Sequence, residues 1–95
     1  MRIRWLRAAL RNLDEEASYI ATDDPVAAAK AVERVLGAVA SLAEHPAIGR
    51  PGRIPGTREL VVSGTRYLVP YRVEGAEVQI LRVFHTSRRP PARCS

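Results

Sequence analysis

The residue types best suited to chemistry are concentrated near the end of the chain. His85 is preceded and followed by arginines, and Glu59 is the only acidic residue between residues 45 and 73. A metal-independent ribonuclease needs a base for the 2′-hydroxyl, an acid for the leaving 5′-oxygen and a cation for the charge that develops on the phosphate. His85, Glu59 and Arg82 are the residues that could supply these roles.

A simpler interpretation is that His85 packs at a strand end and the arginines only bind an anionic target. The residue types alone favour this interpretation over catalysis, because a full set of base, acid and cation is not evident. The residues predicted to contact the target are then Arg58, Arg66, Arg72, Arg82, His85, Arg88 and Arg89.

Other kinds of site are not predicted. His45, His85 and Cys94 lack the spacing of metal ligands, and no glycine-rich loop follows a strand, so we expect neither a metal nor a cofactor. A single cysteine cannot form a disulfide within the chain, which favours the cytoplasm. Arginines interrupt the N-terminal apolar residues, so neither a secretory signal nor a membrane span is predicted.

The charge distribution points to an anionic partner. The 95 residues carry a net charge of +5, and all basic side chains except Lys30 are arginines. Residues 1–48 hold six basic and seven acidic side chains, whereas residues 49–95 hold nine basic and three acidic ones. Arginine is favoured where phosphate or carboxylate is bound by two parallel hydrogen bonds. We therefore expect the second half of a single domain, residues 1–95, to face nucleic acid or an acidic protein.

Arg66, Arg72 and Arg82 lie on a predicted β-hairpin over residues 66–84, and Arg88 and Arg89 follow it. In its first arm, Tyr67, Val69, Tyr71 and Val73 alternate with residues of the other face, and residues 78–84 form an arm that is apolar on both faces. Gly75 supplies the positive φ of the turn. Pro70 removes a hydrogen-bond donor in mid-strand, which predicts either a bulge or an orientation away from a partner strand.

Two helices are predicted before this hairpin, over residues 6–21 and 25–44. Asp24 is a natural N-cap and Pro25 a natural first helical residue, while His45-Pro46 ends the second helix. Each helix has one apolar stripe, which we expect to face the core. The stripes are Leu6, Leu10, Leu13, Ala17 and Ile20, then Ala28, Val32, Val35, Val39 and Leu42, widened by Leu36 and Ala43.

With strands at residues 2–5 and 57–62, the element order is β-α-α-β-β-β, and residues 45–56 are predicted to be a loop. The fold class is α+β: a two-layer structure in which a helical hairpin packs on one face of a mostly antiparallel four-stranded sheet.

Over nearly its full length, the chain resembles the RelE/ParE superfamily of bacterial toxins from type II toxin–antitoxin systems. The resemblance is carried by short segments in family order rather than by one specific motif. They are Asp24-Pro25, LAEHP at 42–46, GR at 49–50, GTREL at 56–60, YLVPYRV at 67–73, ILRVFH at 80–85 and RRP at 88–90. The resemblance implies the same fold, the first strand beside the last, and a toxin neutralised by an antitoxin encoded beside it.

Members of the superfamily have two activities. RelE-like toxins cut mRNA on the ribosome, and they usually carry an arginine where this chain has Leu68. ParE-like toxins poison DNA gyrase, and segments 56–60 and 71–73 look more like theirs. The resemblance therefore implies a ParE-like toxin that binds gyrase and a ParD-like antitoxin. The ribosome-dependent ribonuclease is the alternative, kept open by His85, which matches the histidine of one ribonuclease branch.

Overall fold

The structure, a computed structural model, describes residues 1–87. Its elements are β1 (Arg2–Trp5), α1 (Arg7–Ala21), α2 (Pro25–Ala40), β2 (Arg50–Pro51), β3 (Arg58–Val61), β4 (Tyr67–Glu74), β5 (Glu77–Ile80) and β6 (Phe84–His85). A 3₁₀ turn, Ser41–Ala43, continues α2. The predicted target-binding residues Arg88 and Arg89, together with Cys94, lie outside the described residues.

The strands form one sheet in the order β1-β5-β4-β3-β2, and β6 pairs with the first half of β4. The β1–β5 pairing is parallel, whereas the other pairings of the described chain are antiparallel. The predicted two-layer α+β fold is confirmed, with the first strand beside the second arm of the hairpin. The six strands of residues 1–87 exceed the predicted four, because the predicted loop contains β2 and the second arm is divided into β5 and β6.

The helical hairpin follows the predicted bounds closely. The Asp24 carboxylate accepts a hydrogen bond from the Ala27 N–H at 3.0 Å, and Pro25 occupies the first helical position, so both features of this N-terminus are confirmed. The predicted stripes are wrong at two positions. Leu10 and Leu36 are 51% and 45% exposed, and the small side chain of Ala9 is fully buried in place of Leu10.

The core lies between the helices and one face of the sheet. The inward positions of the strands alternate as the period of two requires, and they pack against Val35, Val39 and Leu42. Their outward neighbours are half-buried or exposed. The predicted inward face is wrong at Val73, which lies near the end of β4 and is 41% exposed. The inward strand residues are Leu60, Val62, Tyr67, Val69, Tyr71, Val78, Ile80 and Val83.

The break between β5 and β6 is a β-bulge opposite Pro70. Tyr71 pairs with Ile80 and Leu68 pairs with Phe84, so three residues on one strand face two on the other. The Leu81 N–H donates to the Pro70 carbonyl at 2.9 Å. Because the nitrogen and the carbonyl of a strand residue point to the same side, the nitrogen of Pro70, which has no hydrogen to donate, faces the bulge. Of the two alternatives predicted for Pro70, the structure shows the bulge.

Candidate functional site

An open cleft of about 310 Å³ lies between α2 and the turn that joins β3 to β4. Its polar rim combines side chains from the helix, the turn and the last strand, and its floor is apolar. The rim contains Lys30, Arg34, Thr65, Arg66 and His85, and the remaining lining is Ile20, Ala27, Ala31, Gly64 and Tyr67. Among residues 1–87, the lining contains three cations and no carboxylate, so the cleft is suited to an anion.

Local structure positions two of these cations. The Arg34 guanidinium lies over Gly64, where a side chain would collide with it, and its Nη1 donates to the Ser63 carbonyl at 3.3 Å. The Arg66 guanidinium donates to the Ser87 hydroxyl at 2.7 Å. Neither guanidinium pairs with a carboxylate within residues 1–87, so both are available to pair with an anionic ligand.

His85 lies at the same cleft and is half-buried. Its Nδ1 accepts a hydrogen bond from the Ser87 N–H at 3.2 Å, so in the neutral ring the proton is on Nε2. Its ring meets the Tyr67 ring edge-on, with centroids 5.2 Å apart. The Tyr67 hydroxyl donates to Glu16 at 3.2 Å, and burial raises the pKa of this phenol above its usual value. Tyr67 is thus a neutral support for the imidazole.

The three residues of the hypothetical ribonuclease site are not brought together. His85 pairs with the inward-facing Tyr67 and lies on the helix side of the sheet. Glu59 pairs with Pro70, whose neighbours Val69 and Tyr71 point inward, so Glu59 belongs to the opposite face, where it forms an ion pair with Arg50 at 3.2 Å.

Arg82, the third of these residues, is the exposed middle residue of the bulge. Its Nη1 donates to the Leu81 carbonyl at 2.7 Å. An acid, a base and a cation separated in this way cannot act on one phosphodiester bond.

The other predicted target-binding arginines have different surroundings. The Arg58 guanidinium donates to the carbonyls of Gly49 and Ala47, at 2.8 and 3.3 Å, and so holds the loop before β2. Arg72 donates to Gln79 at 2.8 Å on the open face of the sheet and also lies 3.7 Å from a carboxylate oxygen of Glu74. Of the predicted target-binding residues that the structure describes, Arg66 and His85 are the two that share the cleft.

Lys30 and Arg34 were missed by the sequence reasoning, which assigned no function to the helices. The available signal was their spacing of four residues, which puts both side chains on one face of α2. What the sequence does not indicate is that this face meets the β3–β4 turn and Arg66.

No helix within the described residues is long and apolar enough to cross a membrane. Residues 1–87 also contain no group of three or more His, Cys, Asp or Glu side chains placed to hold a metal ion.

The fold is shared with a solved structure described as the chromosomal ParDE TA system from P. aeruginosa. The TM-score is 0.82 at 33% sequence identity, over 92% of this chain and 97% of that one. Together with the sequence relatives, this likeness places the protein among the RelE/ParE superfamily toxins, as its sequence predicts.

The particular family follows from the sequence comparison. The family described as "ParE toxin of type II toxin-antitoxin system, parDE" matches residues 3–90, so the chain belongs to the ParE toxin family. Among curated relatives, "Putative toxin Y4kP" of Sinorhizobium fredii is 53% identical over 95% of this chain and 93% of its own length. "Toxin RelE2" of Caulobacter vibrioides is 37% identical over 88% of this chain and 93% of its own. Membership implies an antitoxin partner.

Proposed function

We propose that this toxin inhibits DNA gyrase in the cytoplasm and is neutralised by a ParD-like antitoxin. The observation that carries the proposal is the separation of His85 from Glu59 by the sheet, since a general acid and a general base must both reach the same substrate. Leu68, an apolar residue, also stands where ribosome-dependent ribonucleases usually carry an arginine. The arginine-rich surface then serves to bind the target rather than to cleave RNA.

Ribosome-dependent cleavage of mRNA is the second candidate. Two observations favour it: His85 lies beside Arg66 in a cationic cleft, and one relative carries the name RelE2. In this mechanism His85 would transfer the proton and Arg66 would stabilise the charge on the phosphate, with no contribution from Glu59.

One experiment separates the two activities. A single purified sample is added to gyrase with supercoiled and relaxed plasmid, and to ribosomes stalled on a defined mRNA. We expect inhibition of supercoiling and accumulation of cleaved gyrase–DNA complexes, with the mRNA left intact. Cut mRNA with unaffected gyrase would replace the proposed function by the second candidate.

The antitoxin is expected to be acidic and to cover apolar surface that the two layers leave exposed. On the open face of the sheet, Val61, Leu68 and Phe84 form a row across three strands, and Val61 and Phe84 are 55% and 41% exposed. Arg50 and Arg72 lie on the same face and can pair with carboxylates. Copurification with the product of the neighbouring gene tests this partner, and absence of a complex at low salt would contradict it.

A further inference from the structure

Three cations of the cleft have no carboxylate partner within the described part of the chain. Lys30 is exposed and forms no ion pair there, and the guanidinium groups of Arg34 and Arg66 contact only a carbonyl and a hydroxyl. By contrast, Arg4, Arg50 and Arg72 each lie within 4 Å of a glutamate. Other arginines of residues 1–87, such as Arg7, Arg11 and Arg53, also form no ion pair, but the cleft brings three such cations together on one concave surface.

The arrangement of the charges suits a chain of anions better than a single one. Lys30 and Arg34 are one turn apart on α2, about 5–6 Å between their Cβ atoms by helix geometry. Arg66 faces them from the strand side, and the cleft between is open to solvent. A polymer with one negative charge per unit can pass along such a row, each charge meeting a different cation.

We propose that the cleft lined by Lys30, Arg34 and Arg66 binds the phosphodiester backbone of a nucleic acid. The choice of duplex DNA as the principal ligand rests on the proposed function, since a gyrase inhibitor meets DNA at its target. The contacts are to phosphate oxygens, so binding is independent of base sequence and decreases with salt. His85 closes one end of the cleft and donates through Nε2 when its ring is neutral.

The test uses Lys30→Glu, because Lys30 is exposed and forms no ion pair within residues 1–87 that the substitution would break. The matched control is Arg11→Glu on α1, an exposed arginine outside the cleft whose substitution changes the net charge by the same amount. Binding of purified protein to a fluorescent duplex DNA is measured by anisotropy between about 50 and 200 mM salt, with a single-stranded RNA of equal length alongside.

We expect Lys30→Glu to weaken DNA binding about tenfold and to reduce the salt slope by about one, the effect of losing one phosphate contact. Arg11→Glu should leave the slope unchanged. Equal weakening by both variants, or no DNA binding by the wild-type protein, would overturn the inference. Tighter binding of the RNA would keep the phosphodiester site but assign it to RNA.

Two further measurements distinguish DNA binding from binding of an acidic protein and test it separately from the proposed function. If oligoglutamate displaces the DNA and Lys30→Glu abolishes only peptide binding, the cleft belongs to an acidic protein and the inference is wrong. Supercoiling inhibition is measured on the same samples. Wild-type protein that inhibits gyrase without binding DNA overturns the inference alone, whereas DNA binding without gyrase inhibition supports the inference and removes the proposed function.

Discussion

At the scale of single residues, the hydrogen bonds of Tyr71 explain why a polar aromatic residue occupies the centre of the core. Its side chain is fully buried, and its hydroxyl donates to the Pro46 carbonyl at 2.7 Å and accepts from the Gly49 N–H at 2.9 Å. One hydroxyl thus satisfies two backbone groups of the loop that precedes β2. The sequence predicts the inward direction of Tyr71 from its alternation, but not its partners, which are 22 and 25 residues away.

Replacing Tyr71 by Phe should destabilise the protein by about 1–3 kcal/mol, because two buried backbone groups lose their partner while the packing is kept. For a chain of this size each kcal/mol lowers the melting temperature by about 4–8 °C. Thermal melts measure the loss. A melting temperature equal to that of the wild-type protein would contradict the assigned role.

A glycine is required at position 49 because the backbone there lies against the Tyr71 side chain. A Cβ at this position would lie 2.7 Å from Cε1 and from the hydroxyl oxygen of Tyr71, and 2.9 Å from the Glu59 carbonyl oxygen. Gly49→Ala should therefore cost about 1–3 kcal/mol. Gly37, within α2, has no atom within 4 Å of an added Cβ, and Gly37→Ala should instead stabilise by about 0.5–1 kcal/mol. Chemical unfolding that gives both variants the same sign would refute the steric argument.

At the scale of secondary structure, the bulge between β5 and β6 couples the sheet to α1. The shift in pairing frees the Val83 N–H from the β4 ladder, and the Asn12 side-chain oxygen accepts it at 3.1 Å. Asn12 therefore satisfies a half-buried donor that the bulge creates, and it fixes the position of α1 over the end of the hairpin.

Asn12→Ala should destabilise the protein by about 1–3 kcal/mol and speed hydrogen exchange at the Val83 amide, since that donor is left without a partner. Asn12→Asp keeps an oxygen acceptor at the same place and is the matched control. If the two variants exchange at the same rate at Val83, the hydrogen bond does not hold the bulge.

The sequence predicts elements well where the signal is local. The capping of α2 by Asp24, the turn at Gly75 and the consequence of Pro70 all depend on neighbours within a few residues, and all are found in the structure. Predictions fail where the structure of a segment depends on residues far away in the sequence. Whether Ala9 or Leu10 faces the core depends on how closely α1 approaches the sheet, and β2 exists because Arg50 pairs with Glu59.

At the scale of the whole molecule, the basic residues divide among three tasks that their residue type does not distinguish. Arg58 holds a loop, and Arg50 and Arg72 pair with carboxylates on the open face of the sheet. Lys30, Arg34 and Arg66 line the cleft and form no ion pair within residues 1–87. The sequence therefore predicts an anionic target from charge alone, while the grouping of three cations at one cleft is apparent only from the packing of α2 against the β3–β4 turn.

The proposed function predicts that His85→Ala retains most of its toxicity. The carboxylate of Glu59 lies on the other face of the sheet from the imidazole. Removal of the ring therefore takes away a wall of the cleft, the ring contact with Tyr67 and the acceptor of the Ser87 N–H, but no part of an acid–base pair with Glu59. Loss of a true general acid or base would lower activity by about 10²–10⁴-fold. Growth arrest after induced expression gives the toxicity, and thermal melts of the purified variant show that it folds.

Phe84→Ala is the control for shortening a side chain of β6, because Phe84 is exposed on the opposite face. If His85→Ala folds normally and abolishes growth arrest while Phe84→Ala does not, the imidazole performs chemistry and the ribonuclease is the correct assignment. Retained toxicity combined with gyrase inhibition that Lys30→Glu weakens would instead indicate that the cleft acts by binding. In that case the cations of α2, rather than the histidine, determine the potency of the toxin.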